Sequence, residues 1–494
     1  MSESLLRSAG KAAAWSAIGN SLGLIGSLVS LVVIARLLDP QDFGIYGFIL
    51  ITLSIPSTIA CDSLNVSLIQ RPDLTSGHSN SIFILSMVFA GIFFTGIFFG
   101  ADQISAWYGI AELTPYLKVM AFSLFLGAVS AVPAAHLQRE LKFKQVAIVD
   151  TLSIVIGAIV GIILAISLRD AWALVGMEMT RRFVRMVAFS FFARWLPSLS
   201  STWSDMMELA SFNIASVGLK LVNEVEKSLV QLLVGIFLGP AALGMFNLAR
   251  RVHDQAIQAL VAPFNSVSIP VASKSQNDFP TLHRALKAAI RLSSFIAYPA
   301  FLGAVAIAPL AVPVVFGEKW IPAIATIQIS LLIGLRWPMA AFNGGVLNGI
   351  GRPGILLKSI LLADIVLLLI PFAAQHSLEA VMSTVLLQRM VGWLLISWIV
   401  YKLVGFSIKE QIIAGSTALI ASTMMAASVW LTMIALPAEW DDSYKLIVLI
   451  VVGIVTYPLS LFIIAPKATI RLCKAAPHLA RGDTNTAMSI VRAR

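Results

Sequence analysis

RLLDPQDFGIYGF at positions 36–48 and IFLGPAALGMFNL at 236–248 carry one pattern twice, Leu-x-Pro-x-x-(Phe/Leu)-Gly-x-(Tyr/Phe). Leu38, Pro40, Gly44 and Tyr46 are answered by Leu238, Pro240, Gly244 and Phe246. In each copy an apolar run meets a proline, which has no N–H to continue a helix but fits the first turn of the next one. The glycine that follows lets the new helix start close to its neighbour. The pattern therefore marks a tight turn between two long helices, and its recurrence points to two halves of one design. A weaker echo sets Lys144 to Asp150 against Lys358 to Asp364.

The composition says where such helices lie. Hydrophobic residues make up 58% of the 494 positions and charged residues 12%, with a mean hydropathy of +0.88. That is too little polar surface for a soluble fold of this length. A bilayer core takes about 20 apolar residues per helix. Runs of that kind lie near 12–35, 45–68, 80–100, 114–136, 146–168, 172–193, 209–237, 245–271, 292–315, 322–347, 359–374, 380–401, 411–436 and 446–465, fourteen in all. The first follows Arg7 and Lys11 as a signal peptide would, but it is too long and runs at once into a second span, so it reads as an anchor. The expected fold is an all-α polytopic membrane protein of about 14 transmembrane helices: two six-helix lobes as parallel repeats, plus two C-terminal helices. The lobes are 1–200 and 201–404, the added helices 405–466, and the basic tail 467–494.

Lys and Arg stay on the cytoplasmic side of short loops. With the N-terminus inside, twenty-one of the 35 basic residues fall in cytoplasmic segments and five (Arg36, Lys118, Arg169, Lys319 and Lys445) fall outside. Both termini are therefore expected in the cytoplasm of a plasma-membrane protein, and the net charge of +10 reads as topology, not as a nucleic-acid surface. Cys61 sits in a span and Cys473 in the tail, so no disulfide framework is expected.

The nine remaining cations, Arg181, Arg182, Arg185, Lys220, Lys227, Arg250, Arg251, Arg336 and Arg389, fall inside spans. Facing lipid, they would cost on the order of 20–30 kcal/mol together. They must face water, protein or a ligand. Lys220, Asn223, Glu224, Lys227 and Gln231 fall on one stripe of the seventh span, and Asn247, Arg251, Asp254 and Gln258 on one stripe of the eighth. Ser16, Asn20, Gly23, Ser27 and Ser30 line the first span, and Ser54, Thr58, Asp62 and Asn65 the second. Stripes of small polar residues also serve as packing seams between membrane helices, whereas stripes bearing Lys and Arg seldom do. Glu178 stands four residues before Arg182, and Arg250 four before Asp254, so part of the basic set is expected to be neutralised within its own helix.

RLLDPQDFGIYG, LIQRPDLT (68–75), HLQRELKFKQVA (136–147), FLGPAALGMFNLARRV (237–252) and VFGEKWIPA (315–323) resemble the Wzx-type oligosaccharide flippases. These are the polysaccharide transporters of the multidrug/oligosaccharidyl-lipid/polysaccharide superfamily. The resemblance covers roughly the first 400 residues. It implies two six-helix lobes, alternating access and a central cavity lined largely by spans one, two, seven and eight. It also implies an undecaprenyl-diphosphate-linked repeat unit as substrate, moved to the outer leaflet for exopolysaccharide, capsule or O-antigen (lipopolysaccharide) assembly. A polysaccharide polymerase and a chain-length regulator are the implied partners. This chain departs from relatives that carry an Asp and an Arg in a stretch like NLDNLLIGRFLG: Val230 and Ile236 stand there in SLVQLLVGIFLG, leaving Glu226 as the nearest acid.

A lipid diphosphate asks for Arg forks and Lys point charges in a low-dielectric setting. The expected substrate-binding residues are Lys220, Lys227, Arg251, Arg181, Arg185, Arg336 and Arg389, with Asn20, Asn223 and Gln231 for the sugars. Asn247, Gln258 and Asn343 are further amide candidates, and Trp15 and Trp337 candidates for stacking. Asp62, Glu224 and Asp254 are placed to couple transport to an ion. No loop much exceeds fifteen residues, and no Walker loop, HExxH or zinc spacing appears, so no enzyme, cofactor or metal is expected. A glycosyltransferase or polymerase is disfavoured on the same ground. The alternatives within the superfamily are a multidrug exporter, against which a basic cavity argues, and a peptidoglycan-precursor flippase.

Overall fold

Both copies of the repeated pattern form the turn expected of them. In the computed structural model, helix Glu3–Leu37 ends one residue before Leu38, and Pro40 opens helix Pro40–Ser57. The Asp39 N–H donates to the Asp42 carboxylate at 2.9 Å, satisfying a donor at the new helix's start. In the second copy Gly239 takes φ 83° and ψ 178°, a conformation open to glycine, and breaks the long helix Trp203–Leu260 in two just before Pro240. The structure describes residues 3–70, 73–198, 203–260 and 278–466; of these, the side chains of 3–18, Asn20, Gln70, Ser76, 203–216, Leu219 and Pro353 are not described. The Asn20 side chain, Trp15, Ser16, the end of the eighth run and the basic tail therefore lie outside what is described.

All the described elements are helices. Eleven helical segments among the described residues are long and apolar enough to cross a membrane. Three features separate that figure from the fourteen runs read in the sequence: the first run contributes only the shorter apolar stretch Ser21–Leu37, and two others differ as follows. Trp172–Ala193 carries Glu178, Arg181, Arg182 and Arg185 and so is not apolar by composition, and the single segment Lys220–Leu260 contains the break at Gly239.

The chain forms two compact units, Met1–Asn247 and Leu248–Arg494. In the first, Phe143–Ser167 packs against both Glu3–Leu37 and Trp172–Ala193. Small residues make the approach possible: a Cβ on Gly157 would stand 3.0 Å from the Met177 carbonyl oxygen, and one on Gly161 2.8 Å from the Met177 Cβ. The small-residue stripe of the first helix does the same on its other side, where Gly23 and Gly26 meet Ile154. The second span is not a plain helix. Pro56 is followed by a π-helical turn, Thr58–Ser63, which turns Asp62 outward while Cys61 and Ser63 stay buried.

In the second unit, helix Phe279–Phe316 packs against Ile408–Ala435 and Asp442–Ile464, which makes the two C-terminal helices part of that unit's core. The Tyr457 hydroxyl donates to the Phe295 carbonyl at 2.8 Å, and Lys287 donates to Glu410 at 2.6 Å. A buried polar knot joins three helices: Asn343 Nδ2 donates to Ser397 Oγ and to Gln411 Oε1, each at 2.8 Å.

Candidate functional site

Trp172–Ala193 has two chemically opposite faces. Phe183, Val187 and Phe191 are exposed on one side and fit lipid, while at 100° per residue Glu178, Arg182, Arg185 and Phe189 point the other way. Glu178 is 4% exposed and accepts from Arg181 Nη2 at 3.0 Å and Arg182 Nε at 2.8 Å. Arg185 pairs with Asp150 of Phe143–Ser167 at 3.4 Å and lies over the Phe189 ring. The side chains of Arg181 and Arg185 nevertheless remain 43% and 42% exposed. Each guanidinium has five N–H donors, so a single carboxylate leaves donors to spare.

The seventh span is built likewise. Val225, Leu229 and Ile236 are exposed on the lipid side, opposite the stripe Lys220, Asn223, Glu224, Lys227. Glu224 pairs with Lys227 at 3.9 Å, while Lys220 Nζ donates to the backbone carbonyl of Asp62 on the π-helical turn. The charges of Arg182, Lys220 and Arg185 also reach the Asp62 carboxylate. The structure thus brings Asp62, Arg185 and Lys220, from three separate spans, into one electrostatic neighbourhood. The spans of the first unit hold five cations (Arg181, Arg182, Arg185, Lys220, Lys227) and five carboxylates (Asp62, Asp150, Glu178, Glu224, Glu226). This charge balance is how so many ions are held at membrane depth.

Two of the amides named as candidates for the sugars take part in packing. Gln231 is 5% exposed and donates to Asn247 at 2.7 Å. Asn343 is fully buried in the knot of the second unit. Gln231→Ala is accordingly expected to leave Asn247 with a lost partner and to lower stability by about 1–3 kcal/mol. Thermal unfolding of purified protein checks this, and an unchanged melting temperature with weakened substrate binding would return Gln231 to the ligand set.

In the second unit, Arg250 pairs with Asp254 at 3.9 Å, and Arg251 is half-buried. Arg336 ends the 3-10 turn Gly334–Arg336, which interrupts the tenth span, and stacks 5.2 Å above the Trp337 ring. The turn requires Gly334, since a Cβ there would press into the Phe301 ring. His253 feels the charges of Asp254, Arg336 and Arg389, which places those groups in one neighbourhood. Here the spans hold four arginines (Arg250, Arg251, Arg336, Arg389) against two aspartates (Asp254, Asp364). Asp364 accepts from Gln388 at 2.7 Å, while Asp150, its counterpart in the weak sequence echo, forms an ion pair with Arg185 at 3.4 Å. The roles of Glu178 and Asp150 as partners are the part sequence reading left incomplete: the i,i+4 spacing flagged Glu178, and nothing local flagged Asp150.

Known proteins bear on these charged spans. The pattern of the family described as "Polysaccharide biosynthesis protein" matches residues 33–325. The lipopolysaccharide biosynthesis protein WzxC of Escherichia coli K12 is 24% identical over 348 residues, covering 70% of this chain and 71% of that protein. The succinoglycan biosynthesis transport protein ExoT of Rhizobium meliloti 1021 is 22% identical over 418 residues, 83% of this chain and 84% of that one. Among solved structures, the lipid II flippase MurJ in its inward closed conformation matches with TM-score 0.74 at 14% identity, over 91% of this chain and 98% of that chain. An inward-facing multidrug resistance MATE family transporter of the MOP superfamily matches with TM-score 0.56 at 15% identity, over 80% and 95%. At these identities the structural likeness is one of fold. The match over more than half the chain, with relatives spanning most of it, makes this protein a member of that family of polysaccharide biosynthesis proteins, the Wzx-type flippases, a family of transporters and not of enzymes.

Proposed function

We propose that the protein carries undecaprenyl-diphosphate-linked oligosaccharide repeat units from the cytoplasmic to the outer leaflet of the bacterial inner membrane, by alternating access, for exopolysaccharide, capsule or O-antigen assembly. Fourteen spans with both termini cytoplasmic complete the scheme, and a polymerase and chain-length regulator receive the product. The observation that carries the reading is the charged face of the first unit, where Arg181, Arg185 and Lys227 are each matched by a carboxylate yet keep exposed donors. A diphosphate with about two negative charges exchanges for those carboxylates, because charge-assisted bonds to phosphate oxygens replace like ones to Glu and Asp. Glu224 is then released from Lys227 to take up a proton or sodium ion, with Asp62 and, in the second unit, Asp254 as the further ion-coupling groups. Lys220 and Lys227 are about 10 Å apart along one helix face, within reach of one head group through their flexible side chains, and Arg251 is a further candidate in the second unit.

The test replaces charge without removing polarity. Lys227→Gln and Arg251→Gln are expected to insert and accumulate normally while polymer export falls at least about tenfold, the loss of roughly one charge-assisted hydrogen bond. Normal export at wild-type abundance in both variants would remove the binding role.

A further inference from the structure

The second and seventh spans meet along a seam within the first unit. Near the proline turns, the Phe48 ring fills the space that Gly235 leaves. Six residues further along the second span and seven back along the seventh, Ser54 Oγ and Ser228 Oγ stand 2.9 Å apart. Another eight residues along each bring Asp62 to Lys220, whose Nζ donates to the Asp62 backbone carbonyl. Val217 then packs against the cluster that holds Leu64 and Leu68. Two helices that keep step in this way are antiparallel neighbours, and Lys220 supplies a charged rung near the end remote from the proline turns.

Lys220 has a partner closer in the chain. Glu224 lies one turn on in its own helix, the usual separation of an ion pair, yet Glu224 pairs with Lys227. What draws Lys220 across the seam is the broken end of the second span. Its helical run closes at Ser63, and the last carbonyls of a helix have no partner further along the chain and form the negative end of its dipole. An ammonium group caps such an end. The Lys220 side chain is nevertheless exposed, on the same stripe as Lys227 and about 10 Å from it. It reaches either the Asp62 carbonyl or a phosphate held beside Lys227. Resting on the reading that the charged face of the first unit takes the diphosphate, we propose that Lys220 is a latch. With the face empty, it pins the broken end of the second span to the seventh; the diphosphate draws it away and opens that end of the seam. The far end stays shut, because there Gly44 and Gly244 seat backbone against backbone. Lys220 is thus a positioning residue as well as a ligand, and closure of the seam and binding of the head group oppose each other by one factor.

The experiment uses the full chain in lipid nanodiscs, on a Cys61→Ser/Cys473→Ser background that still exports polymer. Asn65→Cys and Val217→Cys place a thiol pair one rung beyond the latch. Disulfide trapping between positions 65 and 217 is timed with and without undecaprenyl diphosphate, and binding of that lipid is measured by calorimetry on the same preparation. With Lys220 in place, the lipid is expected to slow trapping at least about fivefold, the low end of coupling between two sites. Lys220→Gln is expected to trap slowly by about the same factor without the lipid, and to respond little when it is added. Lys220→Arg, which keeps a cation and its donors, is expected to restore fast trapping in the empty protein. Lipid that binds without changing the trapping rate overturns the inference and leaves the diphosphate reading intact. Trapping as fast in Lys220→Gln as in its parent overturns it too. If the lipid does not bind, the diphosphate reading fails and the release step with it, while slow trapping in Lys220→Gln still upholds the latch.

Discussion

Gly44→Ala is expected to destabilise the protein by about 3 kcal/mol or more, the upper end for overpacking, and to abolish export. A Cβ at Gly44 would overlap the carbonyl of Pro240, and one at Gly244 would overlap the carbonyl of Pro40. The two copies of the repeated pattern thus grip each other reciprocally, each glycine seated on the other copy's proline. Because the obstacle is backbone at a helix start and not the tip of a side chain, it cannot turn aside. Nearby glycines are also in close contact: Gly47 leaves room for the Asn247 amide, and Gly235 for the Phe48 ring. Gly244→Ala is expected to have the same effect. The double variant is the sharper measurement, since both changes open one contact and their costs should fall well short of adding. Thermal unfolding of the two singles and the double gives the coupling directly. Additive costs, or singles that melt with the wild type, would show that the two turns are not held together in this way.

Glu178→Gln is expected to deplete the protein from the membrane, with a loss of about 3–5 kcal/mol, the effect of stripping one partner from a buried ion pair. Glu178 answers two arginines at once, and its carboxylate is almost fully enclosed. With a neutral amide there, Arg181 and Arg182 keep their charges at membrane depth without the anion that stabilises them. Arg182 has little recourse elsewhere, since its other hydrogen bond among the described residues is a 3.5 Å contact to the Ser123 carbonyl. Removing one cation together with the anion should restore abundance, so Glu178→Gln/Arg182→Gln is expected to accumulate better than Glu178→Gln alone. Immunoblots of membrane fractions decide the matter. A single variant present at wild-type level, or a double variant no better than the single, would mean that Glu178 is not the counter-ion on which this helix depends.

Hydrophobic length, Pro40, Pro240 and the glycines after them were enough to read helices, turns and a duplicated design, because these depend on backbone geometry and on transfer into lipid, both local properties. The stripes on the seventh and eighth spans were legible for the same reason, since a period of 3.6 assigns residues to a face without knowledge of what the face meets. Local spacing also disclosed the pairs Glu178–Arg182 and Arg250–Asp254, one helical turn apart. Partners across helices were not legible. Nothing near Arg185 in the chain points to Asp150, nor near Lys220 to the carbonyl of Asp62, 158 residues away. Gln231 looked like its neighbours on the stripe until packing set it against Asn247. The sequence by itself determined an all-helical, duplicated membrane protein whose spans contain more charge than lipid allows. Only the tertiary structure decided which charges answer which and that the two proline turns interlock, because each depends on distances between groups that chain order does not constrain.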